Sequence, residues 1–293
     1  MSMVVLKEID EVSLKNSGYI KQRQKDMFTV RLRVPCGNVT SEQLIGIGHI
    51  AKQFGGGYVH ITTRQGVQIP NVNVNDLDNI TEELQFNCTP PGSSGPHVRN
   101  IIACPGNHEC TSGIIDTYGL GGMLDGEFFK EKMHVKMKFA VTGCPNGCAK
   151  PQANDFGVMG IIKCTINSEE CSGCGICTDT CPDKAIILKN EKASIIWDRC
   201  KLCGKCAKAC PSDAISEDFR GYKIFVGGKN GRNPKLGREL IEVTSSHEVV
   251  AIFRKIINWS KKNNLSRERV GDCIERIGFE KFKHDMLLQE GGT

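Results

Sequence analysis

A chain of 293 residues, 39% apolar and 24% charged, can bury a substantial core and is not a disordered tail. No stretch approaches the ~20 apolar residues of a membrane span, and no basic start leads into an apolar run, so a cytoplasmic location is expected. The formal charge of +5 would suit nucleic acid or a membrane surface, but sixteen cysteines in a reducing compartment read as metal ligands whose thiolates absorb that excess, so neither partner is expected.

Residues 1–26 are polar and predict an arm or a first strand and loop. Phe28, Val30, Leu32 and Val34 alternate with Thr29, Arg31 and Arg33, the period of a half-buried strand. Thr40 and Gln43 form a capping box for a helix from Ser41 to Phe54, stopped by Gly55-Gly56-Gly57. Tyr58–Thr63 and Val67–Val72 predict strands joined through Arg64-Gln65-Gly66, and Asn75–Phe86 a short amphipathic helix. Gly119–Gly122 predicts a flexible turn before a helix over Leu124–Met133. Val135, Met137, Phe139 and Val141 alternate with Lys136, Lys138 and Ala140, predicting a strand that delivers the chain to Cys144. Phe156–Cys164 and Tyr222–Val226 predict further strands. Ser245 and Glu248 cap a helix carrying Val249, Ile252, Phe253, Ile256 and Ile257 at helical spacing, and one or two helices over Arg267–Leu288 close the chain. Trp259 and Phe282 are expected in the core. The class is α+β.

Cysteines supply the chemistry. Cys104 and Cys110 are followed, after a long interval, by Cys144 and Cys148, in loops rich in turn residues; the spacing does not fit paired zinc knuckles. Between residues 166 and 216 composition changes abruptly. Cys171-x2-Cys174-x2-Cys177-x3-Cys181-Pro182 recurs as Cys200-x2-Cys203-x2-Cys206-x3-Cys210-Pro211, the bacterial two-cluster ferredoxin pattern. In that pattern the fourth cysteine of each run ligates the other cluster. One cluster is therefore expected on Cys171, Cys174, Cys177 and Cys210, the other on Cys200, Cys203, Cys206 and Cys181. Cys36, Cys88, Cys164 and Cys273 stand outside these motifs and are expected to be structural.

The Cys104/Cys110 and Cys144/Cys148 pairs, with the strings Thr142-Gly143-Cys144-Pro145-Asn146-Gly147-Cys148 and Thr62-Thr63-Arg64-Gln65, resemble the sirohaem and [4Fe-4S] motif of sulfite and nitrite reductases. The resemblance covers residues from about 27 to the C-terminus. It implies a sirohaem sulfite/nitrite reductase-type half-repeat with an inserted two-[4Fe-4S] ferredoxin domain. Its parts would be a ferredoxin-like lobe over 1–75, a sirohaem and cluster domain over 76–165 and 217–293, and the insert over 166–216. It implies sirohaem and three [4Fe-4S] clusters, with Cys148 bridging cluster and sirohaem iron. By position, Arg31, Arg99, Lys136 and Lys138 are the implied substrate cations; for the two lysines a merely solvated strand face is the alternative.

A carboxylate-fringed macrocycle needs a basic, donor-rich pocket, for which Arg64, Gln68, Asn146 and the Lys229, Asn230 and Arg232 loop are candidates, with His60, Asn107 and His108 weaker ones. The glycine loop reads equally as a hairpin turn. The implied activity is six-electron reduction of sulfite to sulfide within an anaerobic, NADH-linked complex. Nitrite reduction to ammonia and a non-catalytic electron-transfer role are the alternatives. No nicotinamide or flavin fingerprint is present, so iron–sulfur and flavin or NADH-linked subunits are the implied electron donors. Only one repeat is present where some members have two, so the pocket wall could be completed by a second copy or by another subunit.

Overall fold

The computed structural model describes residues 10–287, and Leu288, the last residue of the expected C-terminal helices, lies outside them. The chain divides into two compact units, the first made of Met1–Ile102, Gly122–Phe139 and Ser260–Arg269, the second of Ala103–Gly121, Ala140–Trp259 and Val270–Thr293.

In the first unit, the stretch expected as an arm or a first strand and loop forms α1 (Glu11–Asn16), capped by the Asp10 carboxylate on the Val12 and Ser13 amides, and β1 (Tyr19–Lys21). There follow β2 (Met27–Arg31), α2 (Ser41–Phe54), β3 (His60–Ile61), β4 (Val67–Asn73) and α3 (Leu77–Phe86). The sheet order is β1-β2-β4-β3, antiparallel throughout. Alternation along β2 buries Phe28, Val30 and Leu32 with Ile69 and Val72 against Ile47, Ile50, Ile80 and Leu84 of the helices. The capping box on α2 is as the sequence predicts: Thr40 Oγ accepts from the Gln43 amide and Gln43 Oε1 from the Thr40 amide. In register, Arg31 of β2 lies opposite Gln68 of β4.

The rest of the chain forms β5 (Ile102–Ala103), α4 (Thr117–Phe128), β6 (Phe139–Thr142) and β7 (Phe156–Ile166). Then come α5 (Ile176–Thr180), the hairpin β8 (Ile186–Lys189) and β9 (Lys192–Ile195), and α6 (Lys205–Ala209). The chain continues through β10 (Ile215–Val226) and β11 (Arg238–Val243) and ends in α7 (Ser246–Asn263), α8 (Val270–Ile277) and α9 (Phe279–Leu287). A five-stranded sheet has the order β11-β10-β7-β6-β5. The segment 166–216 is stitched to this sheet, since the Ile162 amide donates to the Leu202 carbonyl at 2.8 Å and Ile162 bridges Cys203. The Ser245–Glu248 box caps α7, and Trp259 packs edge-on against Phe282 in the core.

Two expected elements change. Gly119–Gly122 lies inside α4 and is no turn, because Asp116 caps the helix from the residue before it, its Oδ1 accepting from the Gly119 amide at 2.7 Å. The expected strand over Val135–Val141 begins only at Phe139. Before it, Met137 makes a single parallel bridge to Val98.

Candidate functional site: a cationic pocket and three thiol cages

The first unit holds a pocket of about 340 Å³ lined by Arg31, Arg64, Arg99, Lys136 and Lys138, with Thr62, Thr63, Gly66, Ser93, Ser94 and Asn100. Five of the eleven lining residues are cations and none is a carboxylate. Each cation is placed by backbone physics. Arg31 ends β2, and with the Gln68 carboxamide oxygen turned toward it donates from Nε at 3.1 Å and Nη2 at 3.0 Å. Arg64 sits in the β3–β4 turn, where Thr62 Oγ1 accepts from the Arg64 and Gly66 amides, and its Nη2 donates to the carbonyls of Asn100 and Phe139. The Met137 amide donates to the His97 carbonyl and the Arg99 amide to the Met137 carbonyl, setting Arg99 alongside the two lysines. Met137 is buried, so Lys136 and Lys138 on either side of it share the other face.

Burial, then the neighbouring charges of Arg31, Arg64 and Arg269, push the Arg99 guanidinium down to about 10. Burial lowers Arg31 as well. Arg99 Nη2 donates to the Gly95 carbonyl, but its Nε is buried with no partner. Mutually repelling cations with an orphaned donor are the electrostatic complement of a small oxyanion or of a macrocycle's carboxylates. Arg33, two residues from Arg31, is by contrast discharged by buried Asp125 at 2.7 Å and lies over the Phe129 ring.

The second unit brings the cysteines together in fours. Burial raises the Cys144 thiol, as do its neighbours Cys104, Cys110 and Cys148. The Gly143 amide donates to Cys104 Sγ at 3.0 Å. These loops pack so closely that Gly143 has room for hydrogen only: a Cβ there would stand 2.7 Å from the Gly106 Cα. Gly106 itself adopts φ +59°. In the segment 166–216 Cys171, Cys174, Cys177 and Cys210 line one small cavity, and Cys181, Cys200, Cys203 and Cys206 another. The fourth cysteine of each run thus stands with the first three of the other. Amides of Ala193, Ala185 and Leu202 donate to the sulfurs of Cys171, Cys181 and Cys200, the donor set that favours thiolates and clusters; backbone donors, Ala193 first, lower the Cys171 thiol. Among the described residues no three His, Cys, Asp or Glu side chains are set to hold a single metal ion.

Cys164 makes a side-chain hydrogen bond to Cys206, which raises Cys206 and lowers Cys164, so it borders a cage rather than only filling core. Cys36 and Cys273 are buried, and Cys88 is exposed.

The remaining sirohaem candidates are dispersed. Asn146 lines a basin of about 720 Å³ in the second unit. Lys229 pairs with Asp272 at 2.5 Å and its backbone pairs with Lys235, the hairpin reading of that loop, while Asn230 and Arg232 are exposed. His108 bonds Asp116 and stacks on Tyr118, and His60 is exposed. Ser93, Ser94 and Asn100 are lining residues that sequence reading misses, because neutral side chains on irregular backbone carry no periodic signal.

Comparison with known proteins agrees with this chemistry. Residues 94–291 match the nitrite and sulphite reductase 4Fe-4S domain, and residues 20–87 the nitrite/sulfite reductase ferredoxin-like half domain. The chain is 34% identical over 272 residues to the coenzyme F420-dependent sulfite reductase of Methanocaldococcus jannaschii, covering 92% of this chain but only 44% of that protein. It is 29% identical to one of the subunits of the anaerobic sulfite reductase of Salmonella typhimurium, covering 91% of this chain and 85% of the other. The crystal structure of dissimilatory sulfite reductase I superposes with a TM-score of 0.74 at 25% identity, covering 90% of this chain and 69% of that one. The chain belongs to the nitrite and sulfite reductase 4Fe-4S family.

Proposed function

We propose that the chain is the catalytic subunit of a sulfite reductase, reducing sulfite to sulfide with electrons delivered by partner iron–sulfur and flavin or NADH-linked subunits. The observation that carries this reading is the carboxylate-free pocket of five cations. Arg31 and Arg99, held by carboxamide and carbonyl acceptors and not by carboxylates, keep their full charge for an oxyanion. Lys136 and Lys138 supply ammonium protons to the oxygens that leave as water, and the backbone at Met137 fixes both on one face. Arg64 would hold an anionic group in the pocket of the first unit; within the second unit, Asn146 would hold a carboxylate of sirohaem and Cys148 its iron, with Cys104, Cys110 and Cys144 completing the cage. Sirohaem when bound supplies an electron-rich iron on which the sulfur atom is reduced. Three cages fit three [4Fe-4S] clusters, because each presents four thiols, and those of Cys104, Cys171, Cys181 and Cys200 accept backbone donors.

Metal and sirohaem quantification on anaerobically prepared protein tests the cofactor assignment, with about twelve non-haem irons and one sirohaem expected. Turnover of sulfite against nitrite with a one-electron donor tests the substrate. A large preference for nitrite overturns it, and absence of an isobacteriochlorin spectrum leaves only an electron-transfer role.

A further inference from the structure

The repeat inside the second unit provides its own control. Aligned cysteine on cysteine, Ser172, Ile176 and Asp179 of the first copy stand where the second has Lys201, Lys205 and Lys208. Both copies build a four-thiol cage, so cage formation does not require the lysines. The cavity holding Cys171, Cys174, Cys177 and Cys210 has no charged residue in its wall, whereas that of Cys181, Cys200, Cys203 and Cys206 is walled by Lys201 and Lys205 against a single carboxylate, Asp183. Lys205 and Lys208 lie three residues apart on α6 and so share a face. Arg199, Lys201, Lys205 and Lys208 are all exposed, and none makes an ion pair or side-chain hydrogen bond among the described residues. Beside them Trp197, whose carbonyl accepts from the Cys200 amide at 3.1 Å, is 56% exposed.

Unpaired cations around an exposed aromatic have the composition of a docking patch for a partner of opposite charge. This cage also adjoins the loop of the first one, since Cys200 and Lys201 share the walls of one basin with Asn146 and Gly147.

We infer that electrons enter at the second copy. An acidic iron–sulfur or flavin protein docks on Trp197, Arg199, Lys201, Lys205 and Lys208 and passes one electron to the cluster at Cys181, Cys200, Cys203 and Cys206. The donor is oxidised and the cluster reduced by that electron, and no proton or bond moves. The inference rests on the reading of these cages as electron carriers.

The test follows cluster bleaching by stopped flow in the anaerobic holoprotein. A reduced ferredoxin of net negative charge is the protein probe, and methyl viologen radical is the small donor that needs no docking. A Lys201→Glu, Lys205→Glu, Lys208→Glu variant should slow reduction by ferredoxin at least ~10-fold at low ionic strength and flatten its salt dependence. Viologen reduction should fall far less, because any potential shift from reversed charges in the cavity wall acts on both donors alike. An unchanged ferredoxin rate overturns the inference. So does an equal fall with viologen, because the lysines would then tune the cluster instead of docking a protein.

Should the reversal variant lose iron, the Lys→Gln triple variant takes its place, with a fall of about threefold expected and no fall overturning the proposal. Ile176→Glu, which puts an anion at the first-copy counterpart of Lys205, should not slow ferredoxin, and a slowing as large as that of the lysine variant would overturn the assignment to the second copy. If ferredoxin reduces the clusters through these lysines yet sulfite is not consumed, docking stands and the sulfite assignment alone falls.

Discussion

Arg31 is a half-buried cation oriented by a neutral group. Gln68 accepts from both Nε and Nη2 but carries no charge, so the guanidinium is fixed without being discharged. Gln68 is therefore read as a positioning residue rather than a sirohaem ligand. Gln68→Glu should form a half-buried bidentate ion pair, raising thermal stability while weakening sulfite binding on the order of tenfold. The expected kinetic signature is a raised KM with kcat less affected, and an unchanged KM would return Gln68 to an ordinary sheet position. Lys138→Ala should lower turnover ~100-fold or more while sirohaem content stays intact, and preserved turnover would remove its proton-donor role. Lys136 and Lys138 are legible as a pair because they alternate with apolar residues beside a cysteine motif, whereas Arg31 and Arg99 are implied only by the family resemblance. Arg33 shows the limit of that reading. It has the same spacing and charge as Arg31, and only the fold reveals that Asp125 already neutralises it.

Elements are legible wherever local chemistry decides them. Thr40 and Gln43 announce α2, and Ser245 and Glu248 announce α7, through side-chain bonds that need no tertiary partner. α4 escapes such a reading because its glycines outweigh its cap when only local propensity is weighed. Asp116 accepts from the Gly119 amide, its largest effect, and also bonds His108, and these hold its carboxyl below the usual carboxylate value. Its folded pKa is depressed, so its contribution is present above the unfolded value and lost as pH falls through the folded one. Asp116→Ala should cost about 1 kcal/mol at neutral pH, measured by thermal or denaturant unfolding, and nothing at a pH below both values. A cost that persists in strong acid would mean that Asp116 acts by packing. The crossed cages make a second claim at this scale. Cys181→Ser should disturb the cluster of Cys200, Cys203 and Cys206 and spare that of Cys171, Cys174 and Cys177, read as the loss of one EPR signal of the pair. Loss of the other signal would mean that each run closes on its own fourth cysteine.

For the molecule as a whole, the sequence proposes a division at residues 76, 166 and 217, while the folded chain packs as two compact units assembled from interleaved segments. Periodicity reports each segment's own structure and not the neighbours it packs against. The first unit carries a specific electrostatic penalty, since Arg31, Arg64, Arg99, Lys136 and Lys138 share one pocket without a carboxylate. Like charges held together, with Arg99 pushed down to about 10, oppose folding when nothing anionic is bound. An anion should reverse that opposition, because it binds the folded pocket and not the unfolded chain. In sirohaem-free protein, sulfite at about 100 times its Kd should add about 2.7 kcal/mol and raise Tm by several degrees, an effect that fades as sodium chloride screens the pocket. Replacing Lys136 and Lys138 by Gln should shrink the sulfite-induced rise. A Tm indifferent to sulfite in the parent protein would show that hydration or the pocket's own hydrogen bonds already compensate these charges. The pocket would then lose its standing as an oxyanion site, whatever the cysteines carry.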